Sequence, residues 1–479
     1  MTTDNLKRQT VSAAVWQISN GVVCNIIQLA VTVILARHIM PDQYGIIAII
    51  SIFITVAQTL VSSNLSTALI RKDNRTDVDC STVFYYNIVL SIILYIAFYF
   101  IAPVIAGFYE IEELTSALRV LSVGLIIGAL SEVQKALYAV NLDFKTTTLL
   151  NILSTSVSGV IGVILAVLDF KIWSLIVQSL SYSACNTVMI WCVSKWRPVL
   201  KFSNSSLREF FTFGSKLMTS NLIDTTFRQL YSAVIGKLFA PSVLGLYNRA
   251  ETFVNMTSQV PSDAFSTISY PVLCRVKDDD TTLKNGYRRI MRLSAFIIFP
   301  LCLGMCAVAD PLVNLLLTDK WAGMAPMLQL LSLSLMWYPV HALNLNLLQV
   351  KGRSDLYLRL EIFRKIIIII TLAATMYFGI IAICMGRIFT SVIALFVNSL
   401  YTSRISPIKR SEQFYDLLPV LLLSIVMYAL TAVTVYLSGD GIVGITAGIA
   451  TGLIIYIGGA AVFRFTEMTE LRNIIKMYF

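Results

Sequence analysis

From Val11 to Val462 long apolar runs alternate with short polar breaks. A run of roughly 20 apolar residues crosses a bilayer as a helix, so this pattern predicts membrane-spanning helices throughout. The expected spans are 11–36, 44–69, 80–106, 114–140, 146–168, 172–194, 208–236, 241–268, 288–310, 324–349, 358–378, 380–402, 415–437 and 441–463. Fourteen helices in an all-α integral membrane protein is the resulting expectation. The first run follows Lys7 and Arg8 but is too long for a signal-peptide core and lacks a small-residue cleavage site, so it reads as a retained span.

Composition agrees with a bilayer environment. Hydrophobic residues make up 57% of the chain, charged residues 13%, and the mean hydropathy is +0.76. Soluble domains carry about 25% charge. Eight cysteines lie in or beside apolar runs with no Cys-x-x-Cys, and there are two histidines, so neither a disulfide framework nor a zinc site is expected. The net charge of +10 reports orientation. With a cytoplasmic N-terminus, 27 of the 37 basic residues fall in inside loops, while Glu110, Glu112 and Glu113 lie outside. That is the positive-inside pattern. It puts both termini in the cytoplasm and leaves no reason to expect a nucleic-acid partner.

The chain also repeats itself. A shift of 200 residues lays ILARHIMPDQYGI (34–46) over VIGKLFAPSVLGL (234–246), superposing Pro41 on Pro241 and Gly45 on Gly245. A later shift of 210 matches Leu118, Leu121 and Ser122 with Leu328, Leu331 and Ser332. Two six-helix lobes of like orientation follow, an arrangement found in several transporter classes. They cover 1–202 and 203–405, and 406–479 adds two C-terminal spans and a cytoplasmic tail. The linker WRPVLKFSNSS (196–206) is polar, basic and broken by Pro198, and an S-x-x-E capping box at Ser206 and Glu209 marks the expected start of span seven.

LGLYNRAETF (244–253), SYPVLCRVKDDD (269–280), IFPLCLGMCAVADPLVNLLLTDKWAGMAPMLQLLS (298–332) and LLQVKGRSDLYLRLE (347–361) resemble the polysaccharide flippases. These are the Wzx-like O-antigen, capsule and teichuronic acid transporters of the multidrug, oligosaccharidyl-lipid and polysaccharide exporter superfamily. The resemblance implies two six-helix lobes plus two helices, and translocation of an undecaprenyl-pyrophosphate-linked glycan from the inner to the outer leaflet of the bacterial plasma (inner) membrane. It implies partners as well: the lipid-linked glycan, membrane lipids, and the polymerase and export proteins of a surface polysaccharide.

Six basic residues remain inside spans: Arg119, Lys135, Lys216, Arg228, Arg249 and Arg387. Glu132 stands three residues before Lys135 and Asp224 four before Arg228, spacings that share a helix face; Arg249 and Glu251, two apart, do not face each other. The residual balance of bases over acids suits an anionic headgroup, because arginine grips pyrophosphate by paired hydrogen bonds and lysine acts as a mobile charge. Lys216, Ser220, Asp224 and Arg228 recur every fourth residue, a polar stripe along span seven. Its counterpart in span one carries Gln17, Asn20, Asn25 and Gln28. Such residues line a cavity or pair helix with helix. Arg249, Arg119 and Arg387 sit toward the outer ends of their spans and Lys135 toward an inner end, where snorkelling competes with ligand binding. No cofactor is expected; Asp224 is the candidate coupling group, with proton and sodium both open.

Three functional classes were weighed by these residues. A membrane-bound acyl- or glycosyltransferase would need paired carboxylates, an activated nucleophile or a metal cluster at the membrane surface, and the acids Asp278, Asp279 and Asp280 sit in a short loop among lysines. A drug or organic-cation antiporter of the same fold would present unpaired acids, whereas here bases outnumber acids. The lipid-linked glycan flippase is the expectation that remains, and it is not an enzyme.

Overall fold

A computed structural model describes the backbone of residues 3–62, 65–72, 74–406, 408–439 and 441–478, and the side chains of 16, 20, 21, 23–61, 65–72, 74–212, 214, 215, 217–267, 269–406, 408–439 and 441–472. Helix is the only regular structure among them. In chain order it forms α1 (Thr3–His38), α2 (Pro41–Ser62), α3 (Leu65–Arg71), α4 (Asp77–Tyr109), α5 (Glu113–Leu121), α6 (Val123–Ala129), α7 (Glu132–Val140), α8 (Phe144–Val167), α9 (Ile172–Val193) and α10 (Asn204–Leu238). There follow α11 (Pro241–Thr257), α12 (Gln259–Arg275), α13 (Asp280–Ala307), α14 (Ala309–Leu317), α15 (Met324–Leu335), α16 (Tyr338–Val350), α17 (Ser354–Thr375), α18 (Ile380–Ile405), α19 (Arg410–Ser438), α20 (Ile442–Val462) and α21 (Thr466–Tyr478).

This is an all-α, multi-pass membrane protein. Helix covers each of the expected spans. Among the described residues eight helical stretches are long and apolar enough to cross a bilayer, and the α5–α6 stretch joined to α7 across a 41° bend makes a ninth. Of the other expected spans, the α11–α12 and α15–α16 stretches are broken, α10 and α17 carry charge, and the described apolar part of α1 is the shorter stretch Val23–His38.

The chain forms two compact units, Met1–Gly245 and Leu246–Phe479, with the boundary inside α11. In the first, α8 packs between α1 and α9, while α10 runs along α2, α3 and α4. Phe210 of α10 is buried in one cluster with Leu65, Leu69, Phe84 and Val133. The helix that the repeat assigns to the second lobe is thus packed near its start within the first unit, so compactness and repetition divide the chain at different places. The start of α10 also corrects the sequence expectation. Ser203 is its N-cap, its side chain accepting from the Ser206 amide at 3.2 Å, and Glu209 instead pairs with Lys72 at 3.0 Å. Ser203 offers the same capping chemistry one turn earlier, so the helix begins before the box at Ser206.

The segments matched by the 200-residue shift touch each other. A Cβ built on Gly45 would run into the Pro241 carbonyl, and one on Gly245 into the Pro41 carbonyl, with the Pro41 carbonyl carbon 2.8 Å away. Only glycine lets two helix starts approach so closely. Beside this crossing Lys237 donates to the Phe108 carbonyl at 2.6 Å and pairs with Glu110 at 3.1 Å.

In the second unit α13 is the central helix. Tyr287, Met291, Ile298, Phe299 and Cys302 are fully buried, and Tyr287 donates to Asn344 at 3.0 Å. Asp279 caps α13, accepting from the Thr281 and Thr282 amides, and hydrogen bonds from Thr282 hold its carboxyl below the usual range. Gly448 and Gly452 of α20 lie against Val435, Thr431 and Met427 of α19.

Pro103 and Pro300 sit inside long helices without breaking them. Pro103 leaves the Tyr99 carbonyl of α4 with no helical donor, and Pro300 does the same to Phe296 of α13. Arg119 donates to Tyr99 at 3.1 Å, and Tyr456 of α20 donates to Phe296 at 2.7 Å. A carbonyl without a donor in hydrocarbon costs several kcal/mol, so each proline is tolerated because a neighbouring helix supplies one.

Candidate functional site

The polar stripe of α10 lies in the middle of the helix. Arg228 Nε donates to Asp224 Oδ2 at 2.8 Å, the contact that the four-residue spacing predicts. The Arg228 side chain is 68% exposed and that of Asp224 34%, so the carboxylate holds a largely accessible guanidinium. Ser220, one turn earlier, is exposed too. The side chains of Lys216 and Gln17 lie outside the described residues.

Span one contributes to a cavity of about 400 Å³. Asn20, Asn25 and Gln28 of α1, named from the sequence, line it together with Asn151, Thr155 and Ser158 of α8 and Gln178, Ser179 and Tyr182 of α9. The α8 and α9 residues were missed in the sequence reading. Their signal was partly legible, since 151, 155 and 158 recur at helical spacing within a largely apolar span, as do 178 and 182. The pairing of their helices with α1 was not. Asn186 donates to Asn151 Oδ1 at 2.9 Å and Cys24 to Asn20 Oδ1 at 3.3 Å, which orients both carboxamides. Gly159 and Gly162 let α8 fit closely: a Cβ at 159 would meet Val31, and one at 162 would come within 2.9 Å of the Gln178 stem.

The other intramembrane bases are distributed. Lys135 pairs with Glu132 at 3.1 Å on α7. Arg119 stacks on the Tyr99 ring at 4.2 Å while serving the Tyr99 carbonyl, so it is engaged by α4. In the second unit Arg387 of α18 donates to Glu251 and to the Tyr247 hydroxyl, both on α11. Glu251 therefore faces a base 136 positions away rather than its near neighbour Arg249, whose side chain is half-buried. All three intramembrane acids considered, Glu132, Asp224 and Glu251, are held by bases. Among the described residues no cluster of three His, Cys, Asp or Glu is placed to hold a metal ion.

The family model for polysaccharide biosynthesis proteins matches residues 34–326. The chain belongs to that family. It is 24% identical over 355 residues to the teichuronic acid biosynthesis protein TuaB of Bacillus subtilis, covering 74% of this chain and 73% of the relative. It is 24% identical over 438 residues to the lipopolysaccharide biosynthesis protein WzxC of Escherichia coli, covering 88% of each. Its fold is similar to that of the lipid II flippase MurJ in an inward closed conformation, with a TM-score of 0.75 at 14% identity over 95% of this chain and 98% of that one. This family member is a membrane protein of polysaccharide biosynthesis whose fold is similar to that of a solved flippase.

Proposed function

We propose that the protein flips an undecaprenyl-pyrophosphate-linked oligosaccharide from the inner to the outer leaflet of the bacterial plasma membrane, for O-antigen, capsule or exopolysaccharide synthesis. The observation that carries this reading is the exposed Arg228 inside a membrane helix, paired with Asp224. A charge at that depth costs about 2.5–3.5 kcal/mol on insertion scales, which is sustained where it faces a partner or a watery cavity. A pyrophosphate is such a partner, and Asp224 holds the arginine when the site is empty. The paired state of Glu132, Asp224 and Glu251 argues against export of organic cations, which would need acids of their own.

On this reading fourteen spans form two repeat-related six-helix lobes, both termini are cytoplasmic, and the lobes alternate between inward and outward openings. Lys216, Arg249 and the other intramembrane bases supplement Arg228, and Asp224 is the coupling group for a proton or a sodium ion. Polymerase and export proteins receive the flipped product. The test is a double-mutant cycle read by flipping of lipid-linked glycan and by protein level. Arg228→Ala abolishes flipping with protein retained, Arg228→Lys restores part of it because paired hydrogen bonding is lost, and Asp224→Asn keeps binding but slows turnover. Normal transport by the charge-free double variant Asp224→Asn, Arg228→Gln would refute the headgroup role and leave the pair as helix glue.

A further inference from the structure

We infer that the cavity between α1, α8 and α9 is a subsite for an uncharged sugar of the translocated glycan, an assignment that rests on the flippase reading. Its lining is the starting point. Five carboxamides (Asn20, Asn25, Gln28, Asn151 and Gln178) meet four hydroxyls (Thr155, Ser158, Ser179 and Tyr182), and among the described residues no carboxylate, lysine or arginine lines the space. Each carboxamide offers donors and acceptors at once, as each sugar hydroxyl does, so the two sets match without any ion. The volume, about 400 Å³, lies in the range of small-molecule sites, about 300–1,000 Å³.

The position requires an occupant that can hydrogen-bond. These side chains sit mid-way along largely apolar helices, where an unsatisfied polar group is expensive. Water fills such a space between turnovers, and a polyhydroxylated ring replaces it bond for bond. Two carboxamides are already oriented, Asn151 by Asn186 and Asn20 by Cys24, so less freedom is lost on binding. The Gln178 stem rests on Gly162, which fixes where its amide reaches.

Selectivity follows from the missing charge. A uronic acid brought here would find no cationic partner for its carboxylate among the described lining residues, whereas a hexose or an N-acetylated hexosamine has nothing left unpaired. The subsite therefore reads neutral sugars, separately from the arginine of α10.

Three probes test this with the full-length protein in lipid nanodiscs by isothermal titration: polyprenyl pyrophosphate alone, the same lipid bearing glucose, and the same lipid bearing glucuronic acid. The glucose lipid is expected to bind at least about tenfold tighter than the bare lipid, and the glucuronate lipid no tighter. Gln178→Ala or Asn25→Ala removes most of the gain from glucose while bare-lipid affinity, which reports folding, is unchanged. Gln178→Arg reverses the preference toward glucuronate. Equal gains for both sugars, or an undiminished glucose gain in both alanine variants, would overturn the subsite alone. Failure of every polyprenyl pyrophosphate to bind would overturn the flippase reading and this assignment with it.

Discussion

Gly45 and Gly245 support a prediction in which two distant substitutions act as one. Each glycine faces the carbonyl of the proline that begins the other helix, Pro241 for Gly45 and Pro41 for Gly245. An alanine methyl at either would have to displace backbone rather than a flexible side chain, and reaching ordinary contact distance requires the helix starts to part by roughly 1.5 Å. Overpacking without a yielding neighbour costs about 1–3 kcal/mol, and a lost Cα–H contact to a carbonyl adds about 0.5–1 kcal/mol. Gly45→Ala and Gly245→Ala are each expected to weaken the crossing by about 2–3 kcal/mol, roughly 30- to 150-fold in the closed fraction. Once one methyl has separated the helices the other fits, so the double variant costs little more than either single one. The assay is the rate of disulfide formation between cysteines placed at Asp42 and Ser242 in a cysteine-free background, compared across all four glycine combinations. Unchanged rates in the single variants, or a double effect equal to the product of the singles, would refute the mutual contact.

Two further outcomes are expected. Replacing Arg119 by methionine or Tyr456 by phenylalanine should lower the thermal midpoint, by a loss of about 1–3 kcal/mol each, because Tyr99 and Phe296 then lack a donor; adding Pro103→Ala or Pro300→Ala respectively should recover it, and absence of recovery would show that the carbonyl is not the reason. Single cysteines at Glu112, Asp169 and Asp319 should react with an impermeant thiol reagent from outside intact cells, whereas those at Asp279 and Lys409 should not, and external labelling at Asp279 would overturn the orientation.

Hydropathy along the chain was enough to read it as helical and membrane-spanning, because an unpaired backbone in hydrocarbon leaves few alternatives and apolar run length reads directly as span length. Residue spacing likewise determined the ion pairs Lys135–Glu132 and Arg228–Asp224, since 3.6 residues per turn make such neighbours whatever the rest of the molecule does. Resemblance in short motifs pointed to the family. Tertiary structure decided what lies across from each helix. It joined Glu251 to Arg387, gave Arg119 to a proline-freed carbonyl, put Tyr456 on another, closed the polar face of α1 with α8 and α9, and set α10 against the first unit. In a water-soluble protein, burial of an apolar stripe would have hinted at such partners. Here nearly every face is apolar, so hydrophobicity does not distinguish one neighbour from another, and the choice falls to glycine contacts and scattered polar groups whose complements lie on other helices.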